Sequence, residues 1–515
     1  MTGRGGRRVD AWLAAALLLA AAVGALNLGG EFVYDDARAI LENPLVQGGL
    51  PAREAFTRSF WGEALDRGIT TYRPLAPLTW RLLWKVGGGA ALLFRAWSLL
   101  LHAAATGLLW ALLRRLGVGR HLAGMTALLF AVHPAQAEAV GATVAQADLL
   151  GALLGLGCLL VLASRRPSAP FVAALLLSLG CLAKESTFLF AAPAAWLVLA
   201  DRRDGLAGRW LRLAPVAIVT LGVILLQLSL ERNTVDWSNS LAYEARGLDR
   251  LLLGLHWIGR AAVMCLLPHG FAAGHGYAAV DLSWRTLAGH ALVGLPVLLA
   301  FPLLLAAARH RRSAPAGVLL LLFYGPILLV SSLVVAVPTD LPERLLYPAT
   351  MAAAYAFAWL VQRGFDGRRR AAVLALLLVA LAAGRALAQA PWRAAGPLWE
   401  HAVSVEPESV RNQFNLAQER YRQGRLDEAA WHRLLAAYAS NRHPRRVDWE
   451  PVRRMEREMT VIERLREAPG LLAPGDPCWL ARGMVGVYRE TLPEVSAGIG
   501  RAWRERYPQC FPDGR

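Results

Sequence analysis

Long apolar runs, broken by short polar segments, fill the first 390 residues. They fall at 10–29, 91–113, 122–142, 145–164, 169–183, 186–200, 211–230, 250–268, 286–308, 314–337, 345–362 and 371–389. A helix needs about 20 apolar residues to cross the hydrocarbon core of a bilayer, and most of these runs come close to that length. The two shortest, 169–183 and 186–200, abut at Lys184-Glu185. The pattern predicts an all-α, polytopic membrane protein, followed after 390 by a small helical region.

Composition agrees. Of 515 residues, 56% are hydrophobic and 18% charged, against about 45–50% and 25% in soluble domains. Intrinsic disorder, which needs low hydrophobicity, is excluded, and five Cys are too few for a disulfide scaffold. A net charge of +17 would suit a nucleic-acid binder, but nucleic-acid binding does not call for the apolar runs.

The positions of the charges say more than their sum. The short basic loops are Arg114 to His121, Arg165-Arg166, Asp201 to Arg212, Arg309 to Arg312, and Arg363 to Arg370. The positive-inside rule puts them in the cytoplasm. Arg4, Arg7 and Arg8 precede the first run, and no small-x-small cleavage site stands before Glu31, so that run reads as an uncleaved signal anchor. Loops 31–90, 133–145, Lys184-Glu185, 231–285 and 338–344, and the region after 390, then face the opposite compartment. Run 250–268 breaks the parity and contains His256, Arg260 and Cys265; it reads as re-entrant or interfacial. Eleven crossings are expected.

The non-cytoplasmic loops carry the candidate chemistry. Asp35-Asp36 are paired carboxylates just past the first run. Repulsion and burial raise the pKa of such a group, which can then serve as a general base on a hydroxyl; a helix cap followed by a solvated acid is the plainer alternative. Loop 31–90 reads as short interfacial helices rather than a folded unit, with Arg73 at headgroup depth. His133 precedes Pro134, a helix-ending signal. Glu138 and Asp148 stand ten residues apart, near three helical turns, so one helix face could carry both. Lys184-Glu185 is either a self-paired hairpin or part of a site. Asp340, Glu343 and Arg344 introduce the run from Leu345. The cations Arg73, His133, Lys184 and Arg344 suit an anionic lipid phosphate. The chain has no P-loop pattern. No cofactor is required by these motifs, although the carboxylates could hold a divalent metal. Cys478 and Cys510 are a disulfide or two thiols; Cys158, Cys181 and Cys265 read as buried small hydrophobes.

In this order, the blocks resemble a known family. EFVYDDARAILENPLV at 31–46, FWG at 60–62 and TYRPLAPLTWR at 71–81 are similar to the first lumenal loop of the TMTC proteins. HPAQAEAVGATVAQAD at 133–148, Lys184-Glu185, residues 264–277 and ERLLYP at 343–348 resemble later blocks of that family. The TMTC proteins are O-mannosyltransferases with tetratricopeptide repeats, of the GT-C class that takes sugars from a polyprenyl-phosphate carrier. The resemblance implies a catalytic carboxylate at Asp35 or Asp36, with Glu138 as its partner. It makes Arg73, His133, Asp148, Lys184, Glu343 and Arg344 substrate-binding candidates. The chain departs from the family at Gln136 and Gln146, where His and Arg are frequent. Asn415-Leu416-Ala417, Tyr421, Gly424-Arg425, Asp427-Glu428-Ala429, Ala437 and Pro444 fit one 34-residue repeat.

The expected organisation is a transmembrane GT-C domain at 1–390, a repeat-like segment at 391–445 and a helical extension at 446–515. The expected function is transfer of a monosaccharide from a polyprenyl-phosphate carrier to a hydroxyl of a protein, glycan or lipid, with inversion. Membrane lipid is a partner and nucleic acid is not. A bacterial inner membrane with a periplasmic active site and C-terminus is the expected location. The rival is a transporter or lipid flippase, which would use intramembrane charges as a substrate path.

Overall fold

The computed structural model describes residues 10–436, apart from 66–70, 231–244, 276–283 and scattered positions between 202 and 434. The extension 446–515, with Cys478 and Cys510, lies outside the described residues, as do Asp427, Ala437 and Pro444. Among the described residues the chain is helical, with only an isolated bridge between Arg58 and Ala64 in place of strands.

The helices follow the apolar runs. They are α1 (Ala11–Ala25), α2 (Leu75–Gly87), α3 (Ala91–Arg115), α4 (Arg120–Ala131), α5 (Ala137–Gly141), α6 (Gln146–Leu162), α7 (Ala169–Ala183) and α8 (Ala191–Ala200). There follow α9 (Leu206–Leu230), α10 (Leu248–Leu266), α11 (Trp284–His310), α12 (Ala314–Val330), α13 (Tyr347–Gly364) and α14 (Gly367–Gln389). A final pair, α15 (Ala395–Val405) and α16 (Val410–Arg422), packs together. Local chemistry sets the ends. Asp10 caps α1 by accepting from the Trp12 N–H, and Ser313 caps α12 by accepting from the Ala316 N–H.

Five described helices are long and apolar enough to cross a bilayer: α3, α9, Ala291–His310 of α11, Glu343–Gly364 and Gly367–Arg393. The pair Pro134–Gly141 and Gln146–Leu162, bent by 112°, makes a sixth if counted as one span. Shorter apolar helices lie at Ala11–Ala25, Ala169–Ala183, Glu185–Ala200 and Ala314–Val330. The protein is therefore an integral membrane protein; among the described residues five or six helices meet the length and apolarity of a crossing, and the expected eleven are not confirmed. Breaks explain part of the shortfall. Run 122–142 stops as a helix at Ala131, ahead of His133-Pro134, and run 186–200 starts with the 3-10 turn Glu185–Phe190. Helix α10 packs along α11 and buries His256 and Trp257.

Of the hydrophobic cores among the described residues, two position the site. The larger runs through α3, α4, α6, α7 and α13. The second joins Val33, Ile40, Phe60 and Trp80 of the first loop region to Val144 and to Trp399 and Leu416 of the final helix pair. The described residues of loop 31–74 thus pack into a core shared with residues 142–147 and the final helix pair, and are not spread as separate interfacial helices. Asn43 organises it. Its side-chain amide donates to the carbonyls of Ala39 and Phe60, both at 3.0 Å, and its oxygen accepts from the Leu45 N–H. Gly62 sits over Asn43 with φ +84°, and a Cβ there would meet the Asn43 oxygen at 2.4 Å; this gives the FWG motif its glycine.

Candidate active site

The first loop delivers Asp35 and Asp36 to the end of the bundle where residues 142–145, the segment 271–275 and the final helix pair converge. Tyr34 takes φ +55°, a left-handed conformation uncommon for a bulky residue. Its ring packs edge-on against Trp399 of α15, with centroids 4.9 Å apart.

The two aspartates then diverge. Asp36 is fully buried and accepts three backbone N–H groups: Val33 at 3.0 Å, Thr143 at 3.3 Å and Val144 at 2.6 Å. Burial pushes its pKa up to about 6 against the pull of those donors. Its carboxylate is committed to joining loop 31–74 to the α5–α6 turn. Asp35 accepts no side-chain hydrogen bond among the described residues. Burial raises its pKa, and the guanidinium groups of Arg344, Arg411, Arg73 and Arg38 pull the other way without cancelling the rise.

Beside Asp35 runs a chain of alternating charge. Glu138 accepts from the Arg344 backbone N–H at 2.9 Å and from its guanidinium at 3.1 Å. Arg344 lies 3.9 Å from Asp148, which lies 3.9 Å from Lys184. Lys184 donates to Glu185 at 2.7 Å, and Arg73 grips the same carboxylate with two bonds of 2.7 Å. Glu138 and Asp148 do meet, but not on one helix face. The 112° bend separates them, and Arg344 is what brings them together. Arg73 is not an exposed anchor: its side chain is 15% exposed and its guanidinium lies 5.0 Å from the Phe60 ring centroid. Glu185, a central link, was legible only as the partner of Lys184.

His133 is not brought to this chain of charges. Its Nδ1 accepts from the Ala135 N–H at 3.2 Å, so Nε2 carries the proton and donates to the Cys265 carbonyl at 2.9 Å. It is a buried, neutral strut rather than a cation for phosphate. Glu343 faces a second cluster. His275 contacts Glu343 at 2.6 Å and Glu406 at 2.7 Å, and Arg260 reaches Glu406 at 2.6 Å. Burial alone would lower the His275 pKa, but Glu406 and Glu343 raise it to about 9. This cluster fastens segment 271–275 to the final helix pair.

The two departures from the family pattern serve as scaffold. The Gln136 amide donates to the Thr350 hydroxyl at 2.9 Å, and its oxygen accepts from buried Arg385 at 2.8 Å. Gln146 accepts from the Trp80 indole at 2.9 Å and donates to the Phe94 carbonyl and the Ser98 hydroxyl. Buried Arg95, which no motif singled out, donates to carbonyls of Asn27, Glu31, Gly141 and Trp392. Among the described residues, no three His, Cys, Asp or Glu side chains gather as a metal site.

No family model matches the chain. Among curated proteins it is 42% identical over 132 residues to Protein O-mannosyl-transferase TMTC1 of Homo sapiens, covering 25% of this chain and 15% of that protein. It is 43% identical over 130 residues to Protein O-mannosyl-transferase Tmtc2 of Drosophila melanogaster, covering 24% and 13%. A Protein O-mannosyl-transferase of Caenorhabditis elegans is 34% identical over 164 residues, covering 31% and 24%. The matches thus span less than a quarter of these relatives' lengths. Within that reach, the chain is TMTC-like.

Proposed function

We propose that the protein is a membrane glycosyltransferase of GT-C type, moving a monosaccharide from a polyprenyl-phosphate carrier to an acceptor hydroxyl. The names of its relatives favour mannose as the sugar and a protein as the acceptor; a glycan or lipid acceptor has the same hydroxyl chemistry. Basic loops on one side and mixed charges on the other favour an active face, and a final helix pair, in the periplasm of a bacterial inner membrane.

The observation that carries this reading is Asp35. It is a half-buried carboxylate with no hydrogen-bond donor of its own among the described residues, and the charges of four guanidinium groups act on it. The acceptor hydroxyl gives its proton to Asp35 as its oxygen attacks the anomeric carbon. The bond from that carbon to the phosphate oxygen breaks, and its electron pair stays on the phosphate. Attack and departure on opposite faces invert the configuration. Nearby cations stabilise the charge that grows on the leaving phosphate. Glu138 and Asp148 position Arg344, and Glu185 positions Arg73 and Lys184. A transporter would place its charges along a path through the bundle; here they concentrate at helix ends and loops.

The test is direct. Purified protein, given polyprenyl-phosphate mannose and an acceptor peptide rich in Ser and Thr, is expected to release polyprenyl phosphate and form a glycosidic bond of inverted configuration. Retention of configuration would exclude the single displacement. No transfer from any polyprenyl-phosphate sugar, to peptide, glycan or lipid acceptors, would exclude the function.

A further inference from the structure

Three of the four guanidinium groups whose charges act on Asp35 are already matched by carboxylates. Arg344 pairs with Glu138, Arg73 with Glu185, and Arg38 with Glu63 at 2.6 Å. Arg411 is the exception. No carboxylate among the described residues lies within the 4.0 Å of an ion pair with it, and its side chain is half-buried.

Its position is built, not incidental. Arg411 stands in the first turn of α16, where Val410 is buried and Ser409 accepts from the Asn412 N–H. Asn412 donates to the Gly274 carbonyl at 3.0 Å and the Ala402 carbonyl at 3.1 Å. A Cβ at Gly274 would meet Asn412 Oδ1 at 2.7 Å and Arg411 Cδ at 3.2 Å, so the arginine stem runs over this glycine. From there its charge bears on both Tyr34 and Asp35.

We propose that Arg411 is the principal phosphate-binding cation of the site, holding the phosphodiester of the lipid-linked sugar beside Asp35, so that the final helix pair completes the active site. The proposal rests on the glycosyltransferase reading above. A matched arginine would have to give up a carboxylate to take a phosphate; Arg411 has none to give up among the described residues. As the sugar–phosphate bond breaks, the phosphate passes from one negative charge to two, and the hydroxyl proton goes to Asp35. A guanidinium holds the dianion more tightly, so the contact strengthens as the reaction proceeds.

The experiment measures binding of undecaprenyl phosphate, the product form of the carrier, to the purified full chain in nanodiscs. Phosphatidic acid and inorganic phosphate serve as comparison probes. Arg411→Met, which keeps the stem over Gly274, is expected to weaken undecaprenyl phosphate binding on the order of 10²-fold. Arg411→Lys is expected to lose less. If Arg411→Met does not fold, Arg411→Lys against wild type carries the comparison, and equal binding there overturns the proposal. Undiminished binding by a folded Arg411→Met overturns the Arg411 assignment and leaves the function standing. Equal binding of phosphatidic acid identifies a headgroup site and overturns the carrier assignment. No binding of undecaprenyl phosphate by the wild type overturns the function and the proposal with it.

Discussion

Asp35 and Asp36 are consecutive residues in opposite kinds of surroundings. Asp36 is closed in by three backbone N–H groups from two loops. The charges of four guanidinium groups act on Asp35, but no donor among the described residues is bonded to it. The same division runs through the whole region. Glu138 with Arg344, and Glu185 with Lys184 and Arg73, pair at hydrogen-bond distance; Asp148 lies 3.9 Å from both Arg344 and Lys184 with one buried oxygen unbonded, and Asp35 and Arg411 have no ion pair among the described residues. The matched groups hold the shape of the site, and the unmatched ones are available to a substrate.

That division can be broken from either side. The largest loss of stability is expected for Arg344→Met, which strands Glu138 and Asp148 in a buried setting. Removing one partner of a buried pair costs about 3–5 kcal/mol, readable as a fall in thermal midpoint in detergent. Asp36→Ala orphans the N–H groups of Val33, Thr143 and Val144 and should cost about 3 kcal/mol by the same measurement.

The His275 cluster comes next and carries a pH signature. Its folded pKa of about 9 lies above the free histidine value near 6.5. The stabilisation is therefore full below about pH 6.5 and is lost as pH rises through about 9. His275→Gln should cost about 2 kcal/mol at pH 6 and flatten the thermal-midpoint profile between pH 6 and 9.5. A profile unchanged from wild type would show that Glu343 and Glu406 do not need the imidazolium. The smallest effect belongs to Arg38→Ala. Its pair with Glu63 is exposed, at 45% and 39%, and should be worth about 0.5 kcal/mol.

The helical membrane architecture was legible because apolar periodicity reports it directly; the run at 169–183 coincides with α7. The carboxylates and cations of the site were legible as blocks, since ionisable residues beside spans are costly and stand out. Their division of labour was not. Nothing in Asp35-Asp36 says which one the N–H groups of 143–144 will take, because that turn is remote in sequence. Glu138 and Asp148 suggested a shared helix face, and the bend at 142–145 removes it. His133 was read as a cation, but its ring is fixed as neutral by the Ala135 N–H and the Cys265 carbonyl. Arg411 belongs to no motif that the sequence singles out. Its placement depends on Asn412 holding segment 271–275, a tertiary fact with no local signature.

The central claim is that Asp35 acts while Asp36 holds the loop. It is tested most directly by comparing Asp35→Asn and Asp36→Asn in one assay of sugar transfer from polyprenyl-phosphate mannose, with thermal midpoints taken on the same samples. Asp35→Asn is expected to lose about 10²–10⁴-fold in transfer with an unchanged midpoint. Because the Asp35 pKa is raised, the wild-type acid limb should lie above the ordinary aspartate range, with activity falling as pH drops through it. Asp36→Asn is expected to lower the midpoint and to lose activity only in proportion to unfolded protein. Full transfer by a folded Asp35→Asn, or a transfer defect confined to a fully stable Asp36→Asn, would contradict the account.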